Sequence, residues 1–149
     1  MNYLAGTGAS ENWENLDRKY QNLRNYHLVN LQYISDIGYL QEGPLSGADP
    51  EQLSACLILL RHELQNGSRK ETTTVTLVFR AVIEVHLKLG NWPCIDGSTI
   101  LKFGDITYWA AAPDWSLECY FRDSVTWLSA RGAGWISGDK IAFDKIKWV

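Results

Sequence analysis

The hydrophobic pattern is most regular between residues 73 and 89. From Val75 onward every odd position is apolar (Val75, Leu77, Phe79, Ala81, Ile83, Val85, Leu87, Leu89). The intervening positions are mostly polar, among them Thr74, Thr76, Arg80, Glu84, His86 and Lys88. A repeat of two places alternate side chains on opposite faces of a strand, whereas a helix needs a repeat near 3.6. The pattern predicts a half-buried β-strand with one dry face, as in an antiparallel sheet. Strands in globular proteins usually run about 3–10 residues. The length therefore predicts a bend or bulge near Arg80 to Val82, where both faces turn apolar. Gly90-Asn91-Trp92-Pro93 ends the strand.

Upstream the period changes. Trp13, Leu16, Tyr20 and Leu23 recur at helical spacing after Ser10, a capping residue type, and predict one amphipathic helix over residues 11–24 whose apolar stripe lies on a sheet. Glu14 and Arg18 form an i,i+4 pair on its outer side. Residues 1–9, with Gly6 and Gly8, read as a loose arm. Val29, Leu31 and Tyr33 alternate with Asn30 and Gln32, which predicts a strand over residues 27–34. Gly38, Gly43-Pro44, Gly47 and Asp49-Pro50 then mark a long irregular connection.

Residues 53–65 carry two competing signals. Asp49, Pro50 and Gln52 make a good helix start, and Asn66-Gly67 a good stop. Yet Ala55, Leu57 and Leu59 alternate, and Gly67 with its charged neighbours can turn a hairpin into the long strand. The neighbouring strands tip the reading to a strand.

Three β segments follow. Leu101, Phe103, Ile106 and Tyr108 flank a turn or bulge at Gly104-Asp105. Leu117, Cys119, Phe121, Val125 and Trp127 keep an alternating register over residues 115–129. Ile141 and Phe143 give way to Ile146 and Trp148, a phase shift that predicts a bulge near Asp144-Lys145. Gly132-Ala133-Gly134 reads as a tight turn between strands, because it lacks the third glycine of a dinucleotide loop and the GK[ST] ending of a P-loop. The expected fold class is mainly β (α+β by strict count): a curved antiparallel sheet or β-sandwich with one N-terminal amphipathic helix packed on it, residues 1–149 forming a single domain.

Composition narrows function more than it identifies it. With 149 residues and 46% hydrophobic content, the chain can build one real core. A net charge of -3 disfavours a general nucleic-acid binder, which usually shows a basic stripe. The start of the chain has no basic region followed by an apolar run, and no segment approaches the roughly 20 apolar residues of a membrane span. The 3 cysteines, Cys56, Cys94 and Cys119, form no close pair and suit reduced thiols in a cytoplasmic protein. Asn66-Gly67-Ser68 matches a glycosylation sequon but reads as a turn.

No catalytic signature stands out. His27, His62 and His86 are scattered, and none sits in a zinc-binding context, so no metal and no cofactor is expected. Glu84, His86 and Lys88 share a strand face, which reads as a solvated face. Cys94 reads as a packing residue beside a turn. Asp96, Asp105, Asp114 and Asp123 are evenly spaced but lack the glycine-and-carboxylate pattern of a calcium repeat, so they read as turn punctuation.

The 7 tryptophans are the more informative residues. Trp13, Trp127 and Trp148 are in register with apolar neighbours and read as core. Trp92, Trp109, Trp115 and Trp135 fall at strand ends or in Gly/Pro/Ala-rich loops, where they either close the end of a sandwich or anchor a partner. Asp114, Trp115, Arg131 and Trp135 are the partner-binding candidates, since aromatic and arginine anchors dominate interface hot spots.

The succession of an alternating strand, a turn-rich link, an apolar strand, then TTTVTLVFRAVIEVHLKLGNW, ILKFGDITYW and WSLECYFRD resembles the small β-rich immunity proteins of bacterial polymorphic-toxin and contact-dependent inhibition systems. The resemblance covers residues 23–123 and rests on the pattern V-x-L-x-F, apolar, V-x-x-L-x-L-x-G followed by two more strands. It implies a cytoplasmic, non-catalytic protein that binds a cognate toxin domain and blocks its active site or substrate path. No active-site residue transfers, because that family shares no catalytic motif. Glu42, Asp49, Glu51 and Asp114 would supply an acidic patch toward a basic toxin. The competing expectations are a carbohydrate-binding module using loop tryptophans, and an enzyme with an unfamiliar site built on His62, His86 or Cys94.

Overall fold

The computed structural model describes residues 11–34, 55–88, 95–116 and 125–149. The expected Ser10 cap, the N-terminal arm, the turn-rich link, Trp92, Cys94 and the segment around Cys119 lie outside the described residues. Among the described residues one seven-stranded antiparallel sheet carries one α-helix. The helix α1 spans Glu11–Tyr20, and the strands are β1 (His27–Ile34), β2 (Ala55–Asn66), β3 (Arg69–His86), β4 (Thr99–Phe103), β5 (Ile106–Ala110), β6 (Trp127–Ser137) and β7 (Lys147–Trp148). Their order in the sheet is β1-β2-β3-β6-β5-β4, and β7 also pairs with β6.

The predicted helix is present, and its stripe is the buried one: Trp13, Leu16, Tyr20 and Leu23 are all in the core. It ends four residues earlier than expected as an α-helix. A 3₁₀ turn, Gln21–Leu23, follows, and its three residues take φ of 52°, 53° and 61°. Left-handed backbone costs an L-residue of order 1–2 kcal/mol. The turn is held by burial of Leu23 and by pairing of the next residues with residues 95–96: Asn25 N–H donates to the Ile95 carbonyl at 2.8 Å and Ile95 N–H to that of Tyr26 at 2.9 Å. On its outer side Arg18 bonds Asn15 at 2.6 Å, in place of the expected pair with Glu14.

The helix docks on β6. The Trp135 indole donates to the Asn12 carbonyl at 2.8 Å, the Tyr20 hydroxyl meets Ser137 Oγ, and Tyr20 stands edge-on to the Trp135 ring at 5.6 Å. Beneath it lie Ile58, Leu60, Leu77, Phe79, Trp109 and Leu128. Fully burying such side chains contributes about 1.5–3 kcal/mol each.

Strand β1 has the expected bounds but not the expected alternation. A register shift between Leu28 and Asn30 puts both Leu28 and Leu31 toward the core, leaving Val29 exposed. Residues 55–66 are a strand, as the neighbouring strands indicated. They join β3 through a two-residue loop in which Asn66 pairs with Arg69 and Gly67 takes φ 66°. Positive φ confined to the first loop position is what a type II′ hairpin turn requires. Gly104-Asp105 makes the same kind of loop between Phe103 and Ile106, with Gly104 at φ 63°.

β3 runs 18 residues and bends where expected. Ala81 takes φ 50°, and the register with β6 shifts between Val82 and Glu84. The extra residue inverts the alternation. Val75, Leu77 and Phe79 face the helix before the bend, while Val82 and Val85 pack on the core after it. Ile83 and Leu87, expected on the dry face, are therefore exposed.

Two other expectations are corrected. Gly132-Ala133-Gly134 is no turn but lies in the middle of β6, paired with Arg80, Phe79 and Val78. The phase shift near Asp144-Lys145 is a 3₁₀ turn, Phe143–Lys145, rather than a bulge. The glycines serve close approach. A Cβ on Gly132 would fall 2.3 Å from Arg80 Nε, and one on Gly134 2.7 Å from Ile146 Cγ2 and 2.9 Å from the Lys147 carbonyl oxygen. The Arg80, Ile146 and Trp148 side chains thus crowd these glycines, with the Arg80 guanidinium 4.7 Å from the centre of the Trp148 ring. This is why Thr76 and Val78, on the nominally wet face, are buried as well.

Candidate functional site

The four partner-binding candidates separate into two pairs. Trp135 is buried in the main core at 2% exposure. Arg131 is exposed on the same strand and pairs with Asp105 at 2.7 Å, tying β6 to the β4–β5 turn. Asp114 and Trp115 lie together after β5, where they line an open groove of about 510 Å³. This groove is the candidate site.

One long wall is the start of β4, from Ser98 through Leu101. Helix α1 supplies Trp13 and Asp17, four residues apart and therefore on one side of the helix. Pro113, Asp114 and Trp115 form the remaining wall. Thr99 organises this end: its hydroxyl donates to the Ala112 carbonyl at 2.6 Å and accepts from the Trp115 N–H at 3.2 Å. Between those anchors Asp114 turns at φ 55°, a conformation that Asp and Asn tolerate better than other non-glycine residues. Across the groove the left-handed residue Asn22 accepts a hydrogen bond from Ser98 Oγ at 3.1 Å.

The groove reaches round the edge of the sheet. Trp13 and Ile100 belong to the core under the helix. Trp115 belongs to a second cluster with Trp127, Ala110, Leu101 and Tyr108. Its ring lies 5.6 Å from Trp127 and 6.3 Å from Tyr108, and His86 stacks flat on Trp127 at 5.6 Å. The Trp115 indole N–H is buried without a hydrogen-bond partner. A buried donor left unpaired costs about 1–3 kcal/mol.

Among the described residues the charge that lines the groove is of one sign: Asp17 and Asp114 are exposed carboxylates, and none of the described lining residues is a cation. Neither carboxylate has an ion-pair partner among the described residues. Such a site favours a cationic group over an anionic one.

The remaining candidates have structural surroundings. Trp109 is fully buried in β5, so Trp109, Trp115 and Trp135 offer no open ring on which a sugar could stack. His62 stacks on Tyr26 at 5.2 Å, and neither His62 nor His86 lines the groove. Burial pushes the Cys56 thiol up to about 11, which keeps it protonated at neutral pH. Burial likewise raises Tyr26, with Tyr20 adding to the effect and a hydrogen bond to Thr73 opposing it. The Asp105 carboxylate is paired with Arg131, and the backbone of Asp96 forms an isolated antiparallel bridge with that of Arg24; Asp123 lies outside the described residues. Among the described residues no group of three His, Cys, Asp or Glu side chains converges, and no helix is long and apolar enough to cross a membrane.

Sequence reasoning missed Asp17, Trp13, Asn22, Ser98 and Thr99 as parts of this site. Trp13 and Asp17 stand at a spacing of four, but nothing in the sequence tells which distant segment they face. No protein-family model, curated protein or solved structure matches the chain.

Proposed function

We propose that this protein is a non-catalytic binding module that neutralises a cognate bacterial toxin by gripping it directly, the role implied by its resemblance to small β-rich immunity proteins. The observation that carries the reading is the acid-rimmed groove beside β4, which brings Asp114 and Trp115 together with Asp17 on the helix. Trp13 and Trp115, already buried, make the walls of the groove rigid, and its exposed carboxylates are of the kind found in the polar rim of a protein interface. Two unpaired carboxylates favour a basic partner, and the steering they give would raise the association rate at low salt.

The test is co-expression with any toxin domain whose gene is found to flank that of this protein. Rescue of growth and a co-purifying complex are expected. A toxin that stays lethal and forms no complex with the purified protein would overturn the reading.

A further inference from the structure

We propose that the groove takes an extended, cation-bearing segment of a partner protein as an added strand on β4, with one Arg or Lys side chain held between Asp17 and Asp114. This rests on the protein-binding reading and specifies how the binding is made.

β4 stands at the end of the strand order, paired with β5 alone among the described residues. Its register fixes which main-chain groups point outward. The two-residue loop makes Phe103–Ile106 a hydrogen-bonded pair, and such pairs alternate with non-bonded ones along an antiparallel ladder. Lys102–Thr107 and Ile100–Trp109 are then the non-bonded pairs, so Lys102 and Ile100 turn their N–H and C=O groups away from β5. Ser98, Thr99, Ile100 and Leu101, the start of this edge strand and the residue before it, line the groove. Main-chain pairing would supply affinity, and the flanking side chains selectivity.

The side-chain chemistry chooses the guest. Asp17 on the helix and Asp114 in the turn before Trp115 both line the groove with Ser98 to Leu101, and Trp13 and Trp115 beside them belong to different core clusters. A guest strand would pass between two carboxylates, and a guanidinium can bond both through its fork of donors. Phosphate-bearing guests are disfavoured by the same two charges. Lys102 sets the register: a cation placed directly opposite it is repelled, so the guest's positive residue belongs at the Ser98–Thr99 end.

The test uses the full-length protein and three fluorescein-labelled peptides: Arg-Thr-Val-Thr-Val-Thr, the same sequence reversed, and the first with Glu for Arg. Fluorescence anisotropy should show one Arg peptide binding, with affinity about tenfold or more weaker for the Glu peptide and for the D17N/D114N protein. Binding should weaken as salt rises. Lys102→Pro removes an outward donor without touching the β5 ladder and should abolish binding while the melting temperature stays near wild type. Should that variant not fold, peptide-induced shifts of the Ile100 and Lys102 amides in NMR spectra of the wild-type protein decide the same point.

Equal binding of the Arg and Glu peptides, no saturation by either Arg peptide at about 1 mM, or unmoved Ile100 and Lys102 amides would each overturn the proposal. A toxin complex that forms equally well with D17N/D114N and with Lys102→Pro overturns strand addition and leaves the protein-binding reading standing. Arg-peptide binding in a protein that captures no toxin supports strand addition and removes the toxin from the account.

Discussion

The centre of the sheet and its β4 edge are built on opposite principles. At the centre, β6 pairs with β3 and both faces are covered: the helix lies over Trp135 and Phe79, while Arg80, Ile146 and Trp148 lie over Gly132 and Gly134. No space remains there, to the extent that two residues have no side chain. At the edge, a groove of about 510 Å³ stays open between Asp17 and Asp114. Close packing makes the centre sensitive to a single methyl group. At the edge the two carboxylates have no ion-pair partner among the described residues, which leaves their charge to recognition. Stability and binding should therefore respond to different residues.

The harshest way to test that division is Trp135→Ala. It empties the space under the helix and removes the bond to Asn12, and should cost about 3–5 kcal/mol in urea unfolding. A loss near that of an ordinary surface substitution would show that the helix is not docked through this ring.

Gly134→Ala comes next, at about 1–3 kcal/mol, because its new Cβ meets the Lys147 carbonyl as well as the Ile146 side chain. Gly132→Ala should cost less, since only the Arg80 side chain must move away. Thermal melts of the two variants side by side read the ranking. Equal losses would mean that the C-terminal segment yields as easily as an arginine.

A pH titration probes the same packed region without mutation. Burial of Cys56 raises its thiol from 9.0 to about 11. Below the unfolded-state value the thiol is neutral in both states. Above it the unfolded chain releases a proton that the folded chain retains, so stability falls as pH rises from about 9 toward about 11. Urea midpoints across that window should fall more steeply in wild type than in Cys56→Ala. Parallel curves would show that the thiol is not held neutral by the core.

The smallest stability effect is expected at the edge. Asp17→Asn and Asp114→Asn should each stay within about 0.5 kcal/mol of wild type, since Asn keeps the left-handed turn that Asp114 makes. Calorimetry that finds a larger loss would show the carboxylates to be structural and would erase the contrast with the centre.

Much of the fold was legible because it rests on local periodicity. The spacing of Trp13, Leu16, Tyr20 and Leu23 names the buried helix stripe without reference to any partner. The double apolar step near Arg80 to Val82 announced the bend in β3. Ile83 and Leu87 were misplaced because a bulge shifts the phase of everything after it, and its position depends on the register with β6. Gly132 and Gly134 were misread because a glycine that permits a turn and one that permits close approach look alike until the neighbour is known. The tryptophans followed the same rule. Trp109 and Trp135 were placed at strand ends or in Gly/Pro/Ala-rich loops; Trp109 is next to the end of β5, Trp135 lies within β6, and both fill the core.

Of the residues that line the candidate site, Asp114 and Trp115 were among the partner-binding candidates read from the sequence, and their companions were not. Asp17 and Asn22 come from the other end of the chain, and no local rule links residues so far apart in sequence.

The amino-acid sequence by itself determined that this protein is an antiparallel β-sheet with one helix laid on it, because alternation and helical spacing are properties of neighbouring residues. Only the tertiary structure decided which face of β3 is dry after its bend, which glycines are crowded, and which carboxylates share a groove. Those outcomes depend on how distant segments approach one another, and register, close packing and unpaired charge exist only once they have met.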